Sequence, residues 1–138
     1  MPGKSVLIVG DTGGLGASLT QKFRAAGDQV YGASRTAPDP SKDSYPRFKV
    51  NAAAEADVVG LSSALRSQGI NPGIVINCAG LAAQTPLLLS SAQGFQDVLA
   101  SNLTSAFLIS REFAKTMMAG GGLIVNFSSI HVTTASVG

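Results

Sequence analysis

Val6-Leu7-Ile8-Val9-Gly10-Asp11-Thr12-Gly13-Gly14-Leu15-Gly16 joins an apolar, β-branched run to a glycine-rich turn, and a helical pattern follows it. A buried strand that empties into such a turn delivers bare backbone to one spot. There, peptide N–H groups and the positive end of the next helix can meet a pyrophosphate, provided no side chain intervenes. Gly10, Gly14 and Gly16 have the spacing G-x-x-x-G-x-G rather than G-x-G-x-x-G. By the roles such glycines play, Gly10 makes the tight turn, Gly14 lets a phosphate ligand approach the backbone, and Gly16 lets the helix pack close to the strand. Gly13 leaves a second spacing open, because Gly10, Gly13 and Gly16 also fit G-x-x-G-x-x-G.

Composition bounds the rest. With 138 residues and 45% hydrophobic content, the chain reads as one domain, long enough to bury a real core. Ten basic against eight acidic residues leave a scattered charge of +2, too little to imply nucleic acid or an anionic membrane surface as partner. Cys78 is the single cysteine and has no internal disulfide partner, and Met1-Pro2-Gly3-Lys4 passes straight into a strand pattern. A cytoplasmic protein is the expectation. No apolar run approaches the roughly 18 residues of a membrane span, and no metal site is expected.

Leu15, Leu19, Phe23 and Ala26 form an apolar stripe at helical spacing, with Gly27 placed as the stop. Gln29 to Ser34 reads as a second strand, Arg47 to Asn51 as a third, and Ala54 to Gln68 as a helix with Val58, Leu61 and Leu65 on one face. Gly73-Ile74-Val75-Ile76-Asn77 has the near-continuous apolar character of a parallel strand buried on both faces. Leu81 to Leu89 is a loop that could border a substrate. Ser90-Ser91-Ala92-Gln93 offers a capping box to a long helix ending near Met118, in which Phe95, Leu99, Leu103 and Phe107 recur every four residues. Leu123 to Phe127 is the fifth strand and ends at Ser128-Ser129-Ile130-His131.

The ordered set of the glycine turn, Asn77-Cys78-Ala79-Gly80, Asn102 within its helix, and Ser129 after the fifth strand resembles the short-chain dehydrogenase/reductase family. The last three favour its classical subgroup over the extended or ketoreductase-like spacing that Gly13 also allows. The resemblance implies a Rossmann-like doubly wound α/β fold with about five parallel strands in order 3-2-1-4-5 and helices on both faces. It also implies a nicotinamide cofactor held by Gly10, Thr12, Gly13, Gly14, Leu15, Gly16, Ser34, Arg35, Asn51, Asn77, Ala79 and Gly80. Ser34 stands where an NAD-preferring site places an acid, and Arg35 follows it. That pair points to NADP(H) over NAD(H), since guanidinium donors match phosphate oxygens. Asp11 points the other way, adding a negative charge to the phosphate loop. Asn51 replaces the usual adenine-contacting aspartate, and Cys78 replaces an asparagine as a small core filler.

For catalysis the resemblance implies that Ser129 holds a substrate carbonyl oxygen. It implies that Asn102 bends its helix and positions a water in a proton relay. His131, the sole histidine, has nothing in the sequence to orient it. A Tyr-x-x-x-Lys pair, expected about a dozen residues beyond the serine, does not follow in the sequence up to Gly138, and Tyr31 and Tyr45 lie far upstream. The expectation is therefore the cofactor-binding portion of an oxidoreductase acting on a small carbonyl or alcohol, inactive alone because a positioned general acid is worth roughly 10²- to 10⁴-fold in rate. The alternative is a non-catalytic nucleotide-binding or self-assembling half-domain. In either case the fifth strand becomes a sheet edge, and self-association is expected through that edge or through the Ser91–Met118 helix.

Overall fold

The computed structural model describes residues 3–82 and 85–130. Its elements are β1 (Ser5–Val9), α1 (Gly14–Ala25), β2 (Gln29–Ser34), β3 (Arg47–Lys49), α2 (Glu55–Ser67), β4 (Ile74–Asn77), α3 (Ala92–Leu99), α4 (Ser105–Met117) and β5 (Leu123–Asn126). A short 3-10 turn spans Leu87–Leu89, and a π-helical turn, Ala100–Thr104, joins α3 to α4. All neighbouring strands pair in parallel, in the order β3-β2-β1-β4-β5. This is the doubly wound sheet expected from the sequence.

The central strand explains the layering. Side chains alternate between the two faces of a strand, and every β1 position from Val6 to Val9 is covered. Leu7 and Val9 point into a core built with Val58, Leu61 and Leu65 of α2 and Leu108, Ile109 and Phe113 of α4. Val6 and Ile8 point the other way, into a core with Val30 and Ile76, against which Leu19 and Phe23 of α1 pack. A strand sandwiched in this way must be apolar at every position. That is why the run could be read from the sequence without alternation.

Local differences from the sequence reading have identifiable causes. β3 stops at Lys49, although Val50 N–H still donates to the Ser34 carbonyl at 2.8 Å. Ser91, not Ser90, caps α3: its hydroxyl accepts from Gly94 N–H at 3.0 Å, while Gln93 donates along the helix to Asp97. Leu15 is half exposed, because α1 meets the sheet through Gly16, Leu19, Thr20 and Phe23.

The largest correction concerns α3 and α4. The stripe Phe95, Leu99, Leu103 and Phe107 faces outward, between 41% and 64% exposed. The inward stripe is Asp97, Ser101, Ser105, Ile109, Phe113 and Met117. Its first three members line a cleft, and its last three are buried on the sheet. A stripe that is polar along half its length is invisible to a hydrophobicity pattern. The π-helical turn falls around Asn102, where the family resemblance implies a local bend.

A buried charge cluster closes the β2–β3 side of the sheet. Asp11, in the glycine turn, is almost wholly buried and accepts from Arg47 Nε at 2.6 Å and from the Tyr45 hydroxyl at 2.7 Å. Arg47 extends the cluster by donating from Nη1 to both Asp43 oxygens at 3.0 Å and from Nη2 to Ser34 Oγ at 2.9 Å. Gly32 makes room for it, since a Cβ there would overlap the Asp11 carboxylate and lie 2.7 Å from Tyr45 Cε2. The Asp11 hydrogen bond holds the Arg47 guanidinium protonated above its ordinary range. Burial, reinforced by the Asp11 carboxylate, pushes the Tyr45 phenol up to about 12.

Two measurements check this packing. Phe113→Ala should lower stability by about 3–5 kcal/mol, as expected for a buried aromatic, whereas Phe107→Ala should cost under about 1 kcal/mol as a surface change. Urea unfolding of both variants separates the inward from the outward face. The second concerns alkaline pH. Tyr45 binds its proton more tightly in the folded chain than at the unfolded value near 10, so its contribution to stability is complete below pH 10. That contribution declines as pH rises through about 12. Tyr45→Phe should flatten the loss of stability between these limits, and an unchanged pH slope would exclude Tyr45 as its source.

Candidate functional site

The C-terminal ends of β1, β2 and β4 converge on one cleft of about 440 Å³, within the usual size of a small-ligand site. Val9, Gly10, Thr12 and Gly13 form one wall. Ala33, Ser34, Arg35 and Thr36 stand at one end with Val50 and Asn51. Cys78, Ala79 and Gly80 form the opposite wall beside Asp97, Ala100, Ser101 and Ser105. Parallel α/β sheets bind ligands at this carboxyl edge, where the strand order reverses. Here the reversal lies between β1 and β4.

Backbone contact holds the walls together. Gly10 has φ +81°, and a Cβ on it would lie 2.9 Å from both Ala79 N and Cys78 C. Gly16 passes so close beneath the turn that a Cβ would overlap the Gly10 carbonyl oxygen. Gly10 N–H donates to the Ala33 carbonyl at 2.7 Å and Cys78 N–H to the Val9 carbonyl at 2.8 Å, which ties three strand ends together. Nothing stands within 4 Å of the Cβ position of Gly14. α1 begins with Gly13 at its cap position, with no side-chain cap and no acidic residue in its first turn. The first N–H groups and the positive helix end are thereby left to an anion. The Asp11 charge does not oppose it, because its carboxylate is turned toward Arg47 and Tyr45.

The remaining predicted residues distribute unevenly. Ser34 is buried and Arg35 exposed, both at the cleft. Asn51 lines the cleft while its Oδ1 accepts from Ala53 N–H at 3.1 Å, heading α2. Asn77 lies beneath the cleft wall: Oδ1 accepts from Ala79 N–H at 3.1 Å and Nδ2 donates to Asn126 Oδ1 at 3.3 Å. Asn102 grips the chain beyond Gly80, accepting from Leu81 N–H at 2.7 Å and donating to the Leu81 carbonyl at 2.8 Å. Both ends of its amide are thus occupied by the backbone of one residue, Leu81. Gly14, Leu15 and Gly16 shape the turn without lining the cleft, and Ser129 is exposed just beyond β5. His131 lies outside the described residues.

Cys78 faces the cleft, but burial pushes its thiol up to about 11. A thiolate nucleophile is disfavoured there. Tyr45 and Lys49 happen to have the Tyr-x-x-x-Lys spacing. Lys49 ends a strand, where four residues span about 13 Å, unlike the single helical turn such a pair needs. The raised Tyr45 pKa also opposes proton donation near neutral pH. Among the described residues there is no cluster of three metal-ligating side chains, and no helix is long and apolar enough to cross a membrane.

Sequence reasoning missed Arg47, Tyr45 and Asp43, as well as Asp97, Ser101 and Ser105 of the helical wall. One signal was available for the first group: an aspartate in a turn built for anions needs a nearby cation, and Arg47 begins β3, separated from β1 by β2 alone.

A family model described as short chain dehydrogenase matches residues 4–138. Dehydrogenase/reductase SDR family member 11 of Homo sapiens is 30% identical, over 90% of this chain and 53% of its own length. D-threitol dehydrogenase of Mycolicibacterium smegmatis is also 30% identical, over 98% of this chain and 56% of its own. The chain thus spans about half the length of the curated relatives it matches. Among solved structures, a short chain dehydrogenase from Leptospira borgpetersenii serovar Hardjo-bovis with bound NAD+ superposes at TM-score 0.89 and 26% identity, covering 99% of this chain and 55% of that one. A 4-hydroxyisoleucine dehydrogenase complexed with NADH gives 0.87 and 26%, covering 97% and 59%. With its glycine turn, its strand order and a family match over nearly its whole length, the chain belongs to the short-chain dehydrogenase family of oxidoreductases.

Proposed function

We propose that these 138 residues form the nicotinamide-cofactor-binding domain of an oxidoreductase acting on a small carbonyl or alcohol, with NADP(H) preferred over NAD(H). The observation that carries this reading is the uncapped, acid-free N-terminus of α1, which opens with Gly10, Thr12 and Gly13 on a cleft that ends at Ser34 and Arg35. The first N–H groups of α1 take the pyrophosphate, with Gly14 leaving space above the backbone and Leu15 and Gly16 holding the helix in place. Asn51 borders the adenine. Asn77 supports Ala79 and Gly80 from below as they border the ribose on the nicotinamide side.

Arg35 and Ser34 favour a 2′-phosphate because both present hydrogen-bond donors and no carboxylate stands at that corner. Two solved relatives carry NAD+ or NADH, so the preference rests on this chain's own residues. When bound, the cofactor supplies the hydride. The protein's part is to orient the ring and hold the substrate oxygen, for which Ser129 at the end of β5 is the donor. Because the Asn102 amide is committed to Leu81, its contribution to a proton path passes through the main chain of the π-helical turn. The 138 residues alone bind cofactor without appreciable turnover.

A second reading, assembly without catalysis, draws on two features: Phe95, Leu99, Leu103 and Phe107 are exposed along α3, the π-helical turn and α4, and β5 ends the strand order with one side unpaired among the described residues. We place self-association on this surface in either case. The expected setting is cytoplasmic.

Calorimetric titration of the purified chain should show saturable NADPH binding, with NADH weaker. Arg35→Ala should weaken NADPH by about tenfold or more, the scale of one charge-assisted hydrogen bond, with NADH little changed. Equal losses for both would remove Arg35 from the 2′-phosphate, and failure to bind either cofactor would favour assembly alone. Sedimentation should show concentration-dependent association that Phe107→Glu weakens. A chain monomeric at high concentration would rule out that surface.

A further inference from the structure

Arg47 lies directly behind the ribose end of the cleft but does not line it, and its side chain is only 5% exposed. Its charge is directed away from the cleft, with Nε on Asp11 and Nη1 on Asp43, so it is a poor direct partner for a phosphate there. The remaining contact is the informative one: Nη2 donates to Ser34 Oγ at 2.9 Å. A hydroxyl can accept or donate, and its hydrogen rotates to suit its partners. With a guanidinium N–H fixed against its oxygen, the Ser34 hydroxyl is oriented to donate. Among the described residues it makes no donated hydrogen bond, and Ser34 lines the cleft.

We propose that Arg47 is a positioning residue for cofactor selection: by occupying one lone pair of Ser34 Oγ, it turns the hydroxyl hydrogen away from itself and toward the ribose 2′ position. The corner then presents donors from Ser34 and Arg35, and no carboxylate lines it. A 2′-phosphate, whose oxygens only accept, satisfies both. A 2′-hydroxyl accepts fewer of these bonds and finds no carboxylate for its own hydrogen, so it gains less from the corner. This inference rests on the NADP(H) reading and adds to it a residue that never touches the cofactor. The Asp11 carboxylate acquires a role as well. It anchors the guanidinium at the position from which Nη2 reaches Ser34, so an acid in the phosphate turn serves phosphate recognition at one remove.

The test is a double-mutant cycle in Kd for NADPH and NADH, measured by calorimetry on the 138-residue chain and its variants. Ser34→Ala leaves the Arg47–Asp11 pair in place and should weaken NADPH about tenfold while changing NADH less than about twofold. Arg47→Lys keeps the charge facing Asp11 but loses the Nη2 fork, and it should move the NADPH/NADH affinity ratio toward NADH by a similar factor. That shift should vanish in the Ser34→Ala background, because the arginine acts through the hydroxyl. An equal Arg47→Lys shift in both backgrounds would overturn the inference while leaving the NADP(H) reading intact. A parent chain that binds NADH as well as NADPH, or binds neither, would overturn the NADP(H) reading and the inference with it. Should Arg47→Lys fail to fold by circular dichroism, Ser34→Ala alone decides. A tenfold selective loss of NADPH supports the donor role, and equal loss of both cofactors overturns it.

Discussion

The fold of this chain depends on a contact between backbones from which side chains are excluded. Gly10 is pressed against Cys78 and Ala79, and Gly16 against the Gly10 carbonyl. Either Cβ would drive β1 from β4 or α1 from β1, and the cleft exists only because these three elements meet at one point. Hydrogen bonds from Gly10 to Ala33 and from Cys78 to Val9 extend the junction to β2. A structural necessity, the close approach of strand ends, thereby produces a functional one: a turn with exposed N–H groups at the positive end of a helix.

Such a turn is a poor place for an aspartate, and the protein resolves the conflict by burying the carboxylate. Asp11 is removed from the anion path by two donors, Arg47 Nε and the Tyr45 hydroxyl, in space that Gly32 leaves open. Removing one partner of a buried ion pair typically costs about 3–5 kcal/mol, because the other charge is left uncompensated. The cluster therefore couples β1, β2 and β3 where β2 and β3 pair over only three residues. The same arginine reaches Ser34, so the device that hides the acid also prepares the ribose corner.

Much of this was legible in the sequence, for physical reasons that can be named. β1 and β4 are buried on both faces, and only uninterrupted apolar runs can be so. The turn glycines are marked by spacing because bare backbone is needed at fixed intervals. Legibility failed where one side chain serves two environments. The stripe from Asp97 to Met117 is polar at the cleft and apolar on the sheet, so it shows no continuous hydrophobic face, while the outward Phe95–Phe107 stripe does. It failed again for Arg47, whose partners are 36 residues upstream at Asp11 and four residues away at Asp43. Only the strand order brings those positions together.

The two faces of α4 carry the argument one step further. A helix that lies on the surface of a globular protein shows one apolar face, and one that is apolar on opposite faces belongs in a two-sided environment. Leu108, Ile109, Phe113 and Met117 pack on the sheet, while Phe107, and Leu103 just before it, stand more than half exposed on the far side, about 200° around the helix from Ser105 and Ile109. Exposed Leu123, Phe127 and Ile130 belong to the neighbouring β5 and the segment after it. Apolar surface on both α4 and β5, at the strand that ends the sheet among the described residues, exceeds the isolated residues that a soluble surface ordinarily tolerates. The cofactor end of the molecule is closed by its own backbone contacts, and the β5 end presents the surface that a second packing layer would cover.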